Sequence, residues 1–136
     1  MNVLLSIKPR FAKLIFSGDK KYEYRKAIFK SPGVTKIIVY ESSPTKMIVG
    51  ELEIENVLCD TPDKIWNQTK KYSGIDSHFF FSYFSQRNLG YAIKIRSTCL
   101  YRDPIDPNEL VPNFHAPQSF MYLNKGFPDN EYIRMS

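Results

Sequence analysis

The sequence has 136 residues, a hydrophobic fraction of 43% and a formal net charge of +5, which fits one domain with enough apolar residues for a core. No apolar run approaches the ~18 residues of a membrane span, and the N-terminus lacks the basic segment of a secretory signal, so we expect a cytoplasmic protein. The charge is uneven, because residues 1–46 carry ten Lys or Arg residues against three Asp or Glu residues. Such a basic surface attracts phosphates, although many small basic proteins bind nothing anionic.

The first half of the chain predicts four strands and one helix. The apolar run Asn2–Ile7 is the first strand, and Lys8-Pro9 opens a helix because proline is favoured at the first helical position. Gly18 ends this helix by supplying a left-handed residue. Apolar or alternating runs predict three more strands at 22–25, 36–41 and 47–59, and the alternation in the last one slips near Asn56-Val57, which indicates a bulge.

The second half predicts two helices and two strands. Thr61 caps a helix that begins at Pro62 and ends by Gly74. A third helix follows Asp76 and carries an aromatic stripe that we interpret as core packing, formed by Phe79, Phe80, Tyr83 and Phe84. An alternating strand covers 91–101, and after a proline-rich stretch a closing strand is expected at 119–123.

These elements predict an α+β fold. Five or six strands outnumber the two or three short helices, and the long strands alternate. This favours a mixed or antiparallel β-barrel with helices packed at its ends over a doubly wound parallel sheet. We expect one domain at 1–123 and a C-terminal tail at 124–136.

One segment concentrates candidate chemistry, because residues 18–25 read G-x-K-x-x-E-x-R. Lys20 falls at a helix–strand junction, while Glu23 and Arg25 lie two apart on a strand and therefore share one face. Their pairing would fix the guanidinium so that it grips a phosphate or carboxylate, and Lys8 adds a further cation. The alternative is a surface salt bridge beside solvated lysines.

Two other segments offer polar groups to a ligand. Tyr40, Ser42 and Ser43 bring hydroxyls to the end of a strand, although Ser-Ser-Pro also fits ordinary turn chemistry. In the segment 117–122, Gln118 could contact a base edge while Phe120 or Tyr122 stacks on the base, and Ser119 is a further candidate for ligand binding. Core packing of both rings is the alternative.

Cysteine and histidine usage gives no sign of a metal or redox site. Cys59 and Cys99 fall in predicted strands and are interpreted as buried thiols in a reducing compartment, with a disulfide as the alternative. His78 and His115 lack partners at metal-ligand spacings. We therefore expect no metal and no cofactor, and motifs for kinases, serine hydrolases or dinucleotide binding are missing.

The opening LLSIKPRFAKLIFSGDKKYEYRK, together with the segments at 39–54 and 79–95, resembles the ASCH family, a branch of the PUA-like barrels. The resemblance implies a cleft shared by the lysine motif and residues 40–43. It also implies a role in RNA metabolism or transcription-linked regulation. Some members cleave RNA and others remove an acyl group from a modified cytidine, with the lysine equivalent to Lys20 as the catalytic candidate. The acyl-removing members carry a threonine nucleophile where this chain has Glu23.

Two functions from different classes remain open at this stage. In the first, a basic cleft binds RNA or a nucleotide-like ligand. In the second, the same cleft is a hydrolase site that uses Lys20 and Glu23. A third hypothesis, a protein-interaction surface on residues 79–84, requires exposed aromatic rings, and protein partners are not indicated by any motif.

Overall fold

The computed structural model describes residues 2–123, and the predicted tail at 124–136 lies outside them. Within the described range, six strands and three α-helices follow one another along the chain. The strands are β1 (Asn2–Ile7), β2 (Tyr22–Arg25), β3 (Lys36–Glu41), β4 (Met47–Asp60), β5 (Gly90–Ile105) and β6 (Phe120–Leu123). The helices are α1 (Pro9–Ser17), α2 (Pro62–Thr69) and α3 (Ser77–Tyr83), with 3-10 turns at Lys70–Tyr72 and Pro107–Glu109. None of these helices has the length and apolar content that a membrane crossing needs.

All six strands form one mixed sheet in the order β2-β5-β4-β3-β1-β6. β1 runs parallel to β3, and the other neighbours are antiparallel. The register of β4 against β5 shifts between Glu53 and Asn56, just before the predicted bulge. Such an irregularity lets the 14-residue strand β4 bend with the sheet.

The predicted α+β class is confirmed, whereas the hydrogen-bonded sheet is open and not a closed barrel. Over residues 2–123, β2 and β6 are the two edge strands. The sheet nevertheless curls, because Arg25 on β2 reaches across to Ser6 on β1 and to Ser119 beside β6. A side chain, and not a backbone ladder, therefore spans the seam between the two ends of the sheet.

Alternating residues of the strands divide the core between the two faces of the sheet. Val3 and Leu5 on β1 pack on the face covered by α1, whereas Leu4 packs on the opposite face. A third cluster lies beneath α2 and α3, where Phe80 and Phe84 are buried against the β2 residue Tyr24. Helix α3 therefore packs against the short strand β2.

The cysteines differ from the prediction in burial. Neither forms a disulfide within the described residues, and Cys59 is exposed instead of buried. It lies near the end of β4, beyond the bulge, where the strand leaves the main core. Cys99 is half-buried.

Candidate functional site

A cavity of about 250 Å³ opens between α1, β2, α3 and the end of β1. Five of the residues predicted as ligand-binding line it: Lys8, Lys20, Glu23, Arg25 and Gln118. The motif at 18–25 therefore contributes its lysine, glutamate and arginine to the lining of a single concave cavity. The volume of the cavity lies just below the ~300–1,000 Å³ typical of small-molecule pockets, which suits a group no larger than one nucleotide.

Lys20 is buried in the wall of this cavity. Gly18 takes the left-handed conformation at φ 91° and ends α1, and the chain then turns inward so that Lys20 is only 3% exposed. Its Nζ donates to the carbonyl oxygen of Ser73 at 2.6 Å. Loss of hydration lowers the pKa of Lys20 from 10.5 to about 8, against the opposing effect of the Glu23 carboxylate. Near neutral pH a measurable fraction of this amine is therefore unprotonated.

Gly74 holds the loop that covers the Lys20 side chain. It has φ +71°, and a Cβ built on it would lie 2.7 Å from both Cβ and Cγ of Lys20. Any larger residue must push one of the two away. The close approach of this loop covers the alkyl part of the Lys20 side chain, so Gly74 is a positioning residue for Lys20.

Gly74→Ala is expected to raise the pKa of Lys20 from about 8 toward 10.5, because the displaced amine regains water. The matched control is Gly33→Ala, since Gly33 has a similar φ of +81° but open space around it. Both variants share the backbone strain of a positive φ, of order 1 kcal/mol, and only the first disturbs Lys20. NMR titration of the lysine ammonium measures the pKa, and equal values in the two variants would contradict this role.

Arg25 is held entirely by the protein. Its Nη1 donates to Glu23 Oε2 at 3.1 Å and to the carbonyl oxygen of Ser6 at 3.3 Å. Its Nη2 donates to the carbonyl oxygen and to Oγ of Ser119, at 2.9 and 3.2 Å. The predicted pairing of Glu23 with Arg25 is present, but the guanidinium fork is already occupied and serves as a clasp between strands.

The hydroxyl segment at 40–43 does not line this cavity within the described chain. Tyr40 is buried on the other face of the sheet, with its ring centroid 5.1 Å from that of Phe114. Ser42 donates its backbone N–H to the carbonyl oxygen of Ile7, and Ser43 is exposed. The turn lies beside the cavity because Ile7 belongs to the lining, yet its hydroxyls form no part of the wall.

The segment 117–122 also contributes only some of its predicted residues to the cavity. Gln118 is exposed at the cavity mouth, and Ser119 supports the wall through Arg25. Phe120 and Tyr122 pack against the core cluster beneath α1, and the Tyr122 hydroxyl accepts from the backbone N–H groups of Lys30 and Ser31. Core packing therefore explains both rings.

The family profile described as ASCH domain matches residues 5–99, a range that contains the whole cavity lining except Gln118. This chain belongs to the ASCH family. The predicted resemblance is thereby confirmed, and the cavity is a feature of an ASCH domain.

Two known proteins illustrate what this ASCH domain is similar to. The ASCH domain-containing ribonuclease of Zymomonas mobilis is 27% identical over 128 residues, covering 90% of this chain and 84% of that protein. The large ribosomal subunit protein uL22 of Ureaplasma parvum is 27% identical over 121 residues. That match covers 89% of this chain, which spans only 39% of the length of the ribosomal protein.

Solved structures agree with the fold of this ASCH domain. The crystal structure of ASCH from Zymomonas mobilis superposes with a TM-score of 0.84 at 27% identity, over 91% of this chain and 88% of that one. A crystal structure of a mutant of the same protein gives a TM-score of 0.84 at 26% identity, over 91% of this chain and 89% of that one.

The ASCH cavity has an aromatic wall, and two of its rings, Phe79 and Tyr83, were predicted to pack in the core. Phe11, Tyr24, Phe79 and Tyr83 all line it. The stripe on α3 has two columns, because Phe80 and Phe84 enter the core while Phe79 and Tyr83 face the cavity. A stripe of four rings at i, i+1, i+4 and i+5 is wider than one buried helix face requires. This width is the sequence signal that could have predicted a second column facing a cavity.

The same α3 rings bear on the protein-interaction hypothesis. Phe80 and Phe84 are buried, Phe79 and Tyr83 are half-buried, and Phe81 is 38% exposed. A single partly exposed ring does not form an apolar docking patch.

Exposed cations surround the cavity mouth of the ASCH domain. Lys8 is exposed and belongs to the lining. The guanidinium carbon of Arg10 lies 4.6 and 5.1 Å from the ring centroids of Phe11 and Phe79, and Lys26 Nζ lies 4.8 Å from that of Tyr83. The rim is therefore positive while the wall is aromatic. Among residues 2–123, no three metal-ligating side chains cluster together.

Proposed function

We propose that this ASCH domain binds single-stranded RNA and accommodates one nucleotide in its cavity. The observation that carries the proposal is the buried Lys20 amine in a hollow with aromatic walls and a cationic rim. Single-stranded nucleic acids are bound by this combination of stacking surfaces and positive charge. The similarity to a protein named as a ribonuclease, which this chain matches over most of its length, supports RNA as the ligand class.

Each part of the wall has a chemical role in this proposal. Phe79 and Tyr83 offer faces on which a base stacks, and the Gln118 amide contacts its edge. The Lys20 ammonium donates to a phosphate or carbonyl oxygen. Because Arg25 has its fork occupied, it positions the wall and leaves phosphate binding to Lys20 and the exposed cations.

The affinity for single-stranded RNA is expected to fall with salt because each contacted phosphate releases counterions. Three rim cations, Lys8, Arg10 and Lys26, predict a slope of about −2 for log K against log salt. Lys8→Ala and Lys26→Ala are each expected to flatten this slope by about 0.7. Fluorescence anisotropy with a short single-stranded RNA at several salt concentrations measures it, and an affinity that hardly responds to salt would overturn the proposal.

A second candidate function is cleavage of the bound RNA. It is favoured by the lowered pKa of Lys20, whose neutral amine can accept a proton. In that reaction Lys20 takes the proton of a ribose 2′-hydroxyl, and the 2′-oxygen attacks the adjacent phosphorus. The P–O5′ bond breaks and the 5′-oxygen leaves with a proton from water, giving a 2′,3′-cyclic phosphate and a 5′-hydroxyl end. Removal of an acyl group by a hydroxyl nucleophile is not supported, since Glu23 carries no hydroxyl and is paired with Arg25.

One incubation separates the two candidates. Purified protein is mixed with a labelled single-stranded RNA and with the same RNA carrying 2′-deoxy sugars, and the products are separated by size. A binding module shifts both in a gel and leaves both intact. A ribonuclease of the proposed kind cleaves only the RNA with 2′-hydroxyls, with a rate that rises as the pH passes through about 8 and levels off above it, as Lys20 loses its proton.

A further inference from the structure

A second groove, of about 580 Å³, lies along the opposite side of α1 from the cavity. Phe11 lines the cavity, whereas Lys13 and Phe16 line this groove. Residues of a helix lie 100° apart around its axis, so Phe11 and Lys13 point to roughly opposite sides of α1. Glu41 at the end of β3 and Leu100 on β5 complete the lining.

Arg10 connects the groove to the cavity. It lines the groove, while its guanidinium lies over the rings of Phe11 and Phe79, which line the cavity. One cation that lines the groove thus lies against two rings of the cavity wall. A guanidinium in that position can contact a phosphate that joins a nucleotide in the cavity to a nucleotide in the groove.

The groove has the chemistry of a nucleotide subsite. Arg10 and Lys13 against Glu41 leave it with a net charge of +1. The Phe16 ring is fixed against Gly50, where a built Cβ would lie 2.7 Å from its Cζ, and it provides an apolar surface with Leu100. Glu41 Oε1 accepts from Thr45 Oγ1 at 2.6 Å, so the carboxylate is held in place and its other oxygen can accept from an amino group of a base.

We propose that this groove binds the nucleotide adjacent to the one in the cavity, so that the RNA strand passes over Arg10. The inference rests on the proposed function and extends it, because it makes the natural ligand a strand of at least two nucleotides. A nucleoside monophosphate then occupies the cavity alone, whereas an oligonucleotide occupies both hollows.

The test compares two ligands that share a base. For each of the four bases, NMR shift changes are recorded with the nucleoside 5′-monophosphate and with its single-stranded RNA tetramer. The tetramer is expected to move the resonances of Lys13, Phe16 and Leu100, and the monophosphate is expected to move only those of the cavity. Lys13→Ala is expected to weaken tetramer binding about threefold to tenfold and to flatten its salt slope by about 0.7, with Lys64→Ala on α2 as an exposed control.

The outcomes separate this inference from the proposed function. Shift changes confined to the cavity with both ligands, or equal affinities of Lys13→Ala and Lys64→Ala, overturn the second subsite and leave the first intact. Changes confined to the groove overturn the cavity as the primary site. If neither ligand moves any resonance, RNA binding itself is wrong.

Discussion

Lys20→Met is expected to abolish cleavage, or to weaken RNA binding at least tenfold, while making the protein more stable. In the folded protein the Lys20 pKa is about 8 against 10.5 for a free lysine, which corresponds to a cost of about 3 kcal/mol for keeping it charged below pH 8. Methionine removes that cost and fills a similar volume, but it loses the hydrogen bond to Ser73, which offsets about 1 kcal/mol. The free energy of unfolding at pH 7 should therefore rise by about 2 kcal/mol.

The gain in stability of Lys20→Met is expected to decrease as the pH rises. Between pH 8 and 10.5 the unfolded chain binds more protons at Lys20 than the folded protein does, so the wild type gains stability as pH rises through that window. The variant lacks the group, and its advantage should shrink over the same range. Chemical denaturation at pH 7, 9 and 10 measures both. Lys21→Met, at the exposed neighbour, should change stability by less than about 0.5 kcal/mol, and a Lys20→Met protein less stable than wild type would contradict the burial cost.

Arg25→Ala is expected to destabilise the protein by about 3 kcal/mol. The side chain is 12% exposed and its partner Glu23 is 8% exposed, and removing one member of a buried pair leaves the other charge uncompensated. The variant also loses the bonds that tie β2 to Ser6 and Ser119. Arg25→Lys retains the charge but not the planar fork, so an intermediate loss of about 1–2 kcal/mol is expected.

Urea denaturation of the two Arg25 variants measures these losses. Arg96→Ala, at an exposed position on β5, serves as the control and should lie within about 0.5 kcal/mol of wild type. The double variant Glu23→Gln with Arg25→Ala should be less destabilised than the sum of the two single variants. If the losses in free energy of unfolding were additive, Glu23 and Arg25 would not be coupled, and the stabilising effect of Arg25 would have to come from its bonds to Ser6 and Ser119.

The strands and helices were predictable because their signals are local. Proline at the first position of α1 and a left-handed Gly18 after its last residue determine both ends of this nine-residue helix. Alternation along β4 and β5 fixes those strands, because side chains of a half-buried strand must change face at every residue. These patterns require no knowledge of the rest of the chain.

The site was only partly predictable because its decisive contacts are distant in sequence. Arg25 meets Ser119 across 94 positions, and Lys20 meets Ser73 across 53. A lysine at a helix–strand junction is normally hydrated, and nothing near Lys20 in the sequence shows that a loop will cover it. Likewise Arg25 was expected to grip a ligand, since the sequence does not reveal that its donors would be used within the fold.

The clasp at the seam also links the candidate site to β6, the last strand of the described residues. One wall of the cavity is Arg25, and the hydrogen bonds that orient Arg25 come from the residue just before β6. The position of this wall is therefore expected to depend on the docking of β6. We therefore expect ligand binding in the hollow and docking of β6 to be thermodynamically coupled, each strengthening the other by the same factor.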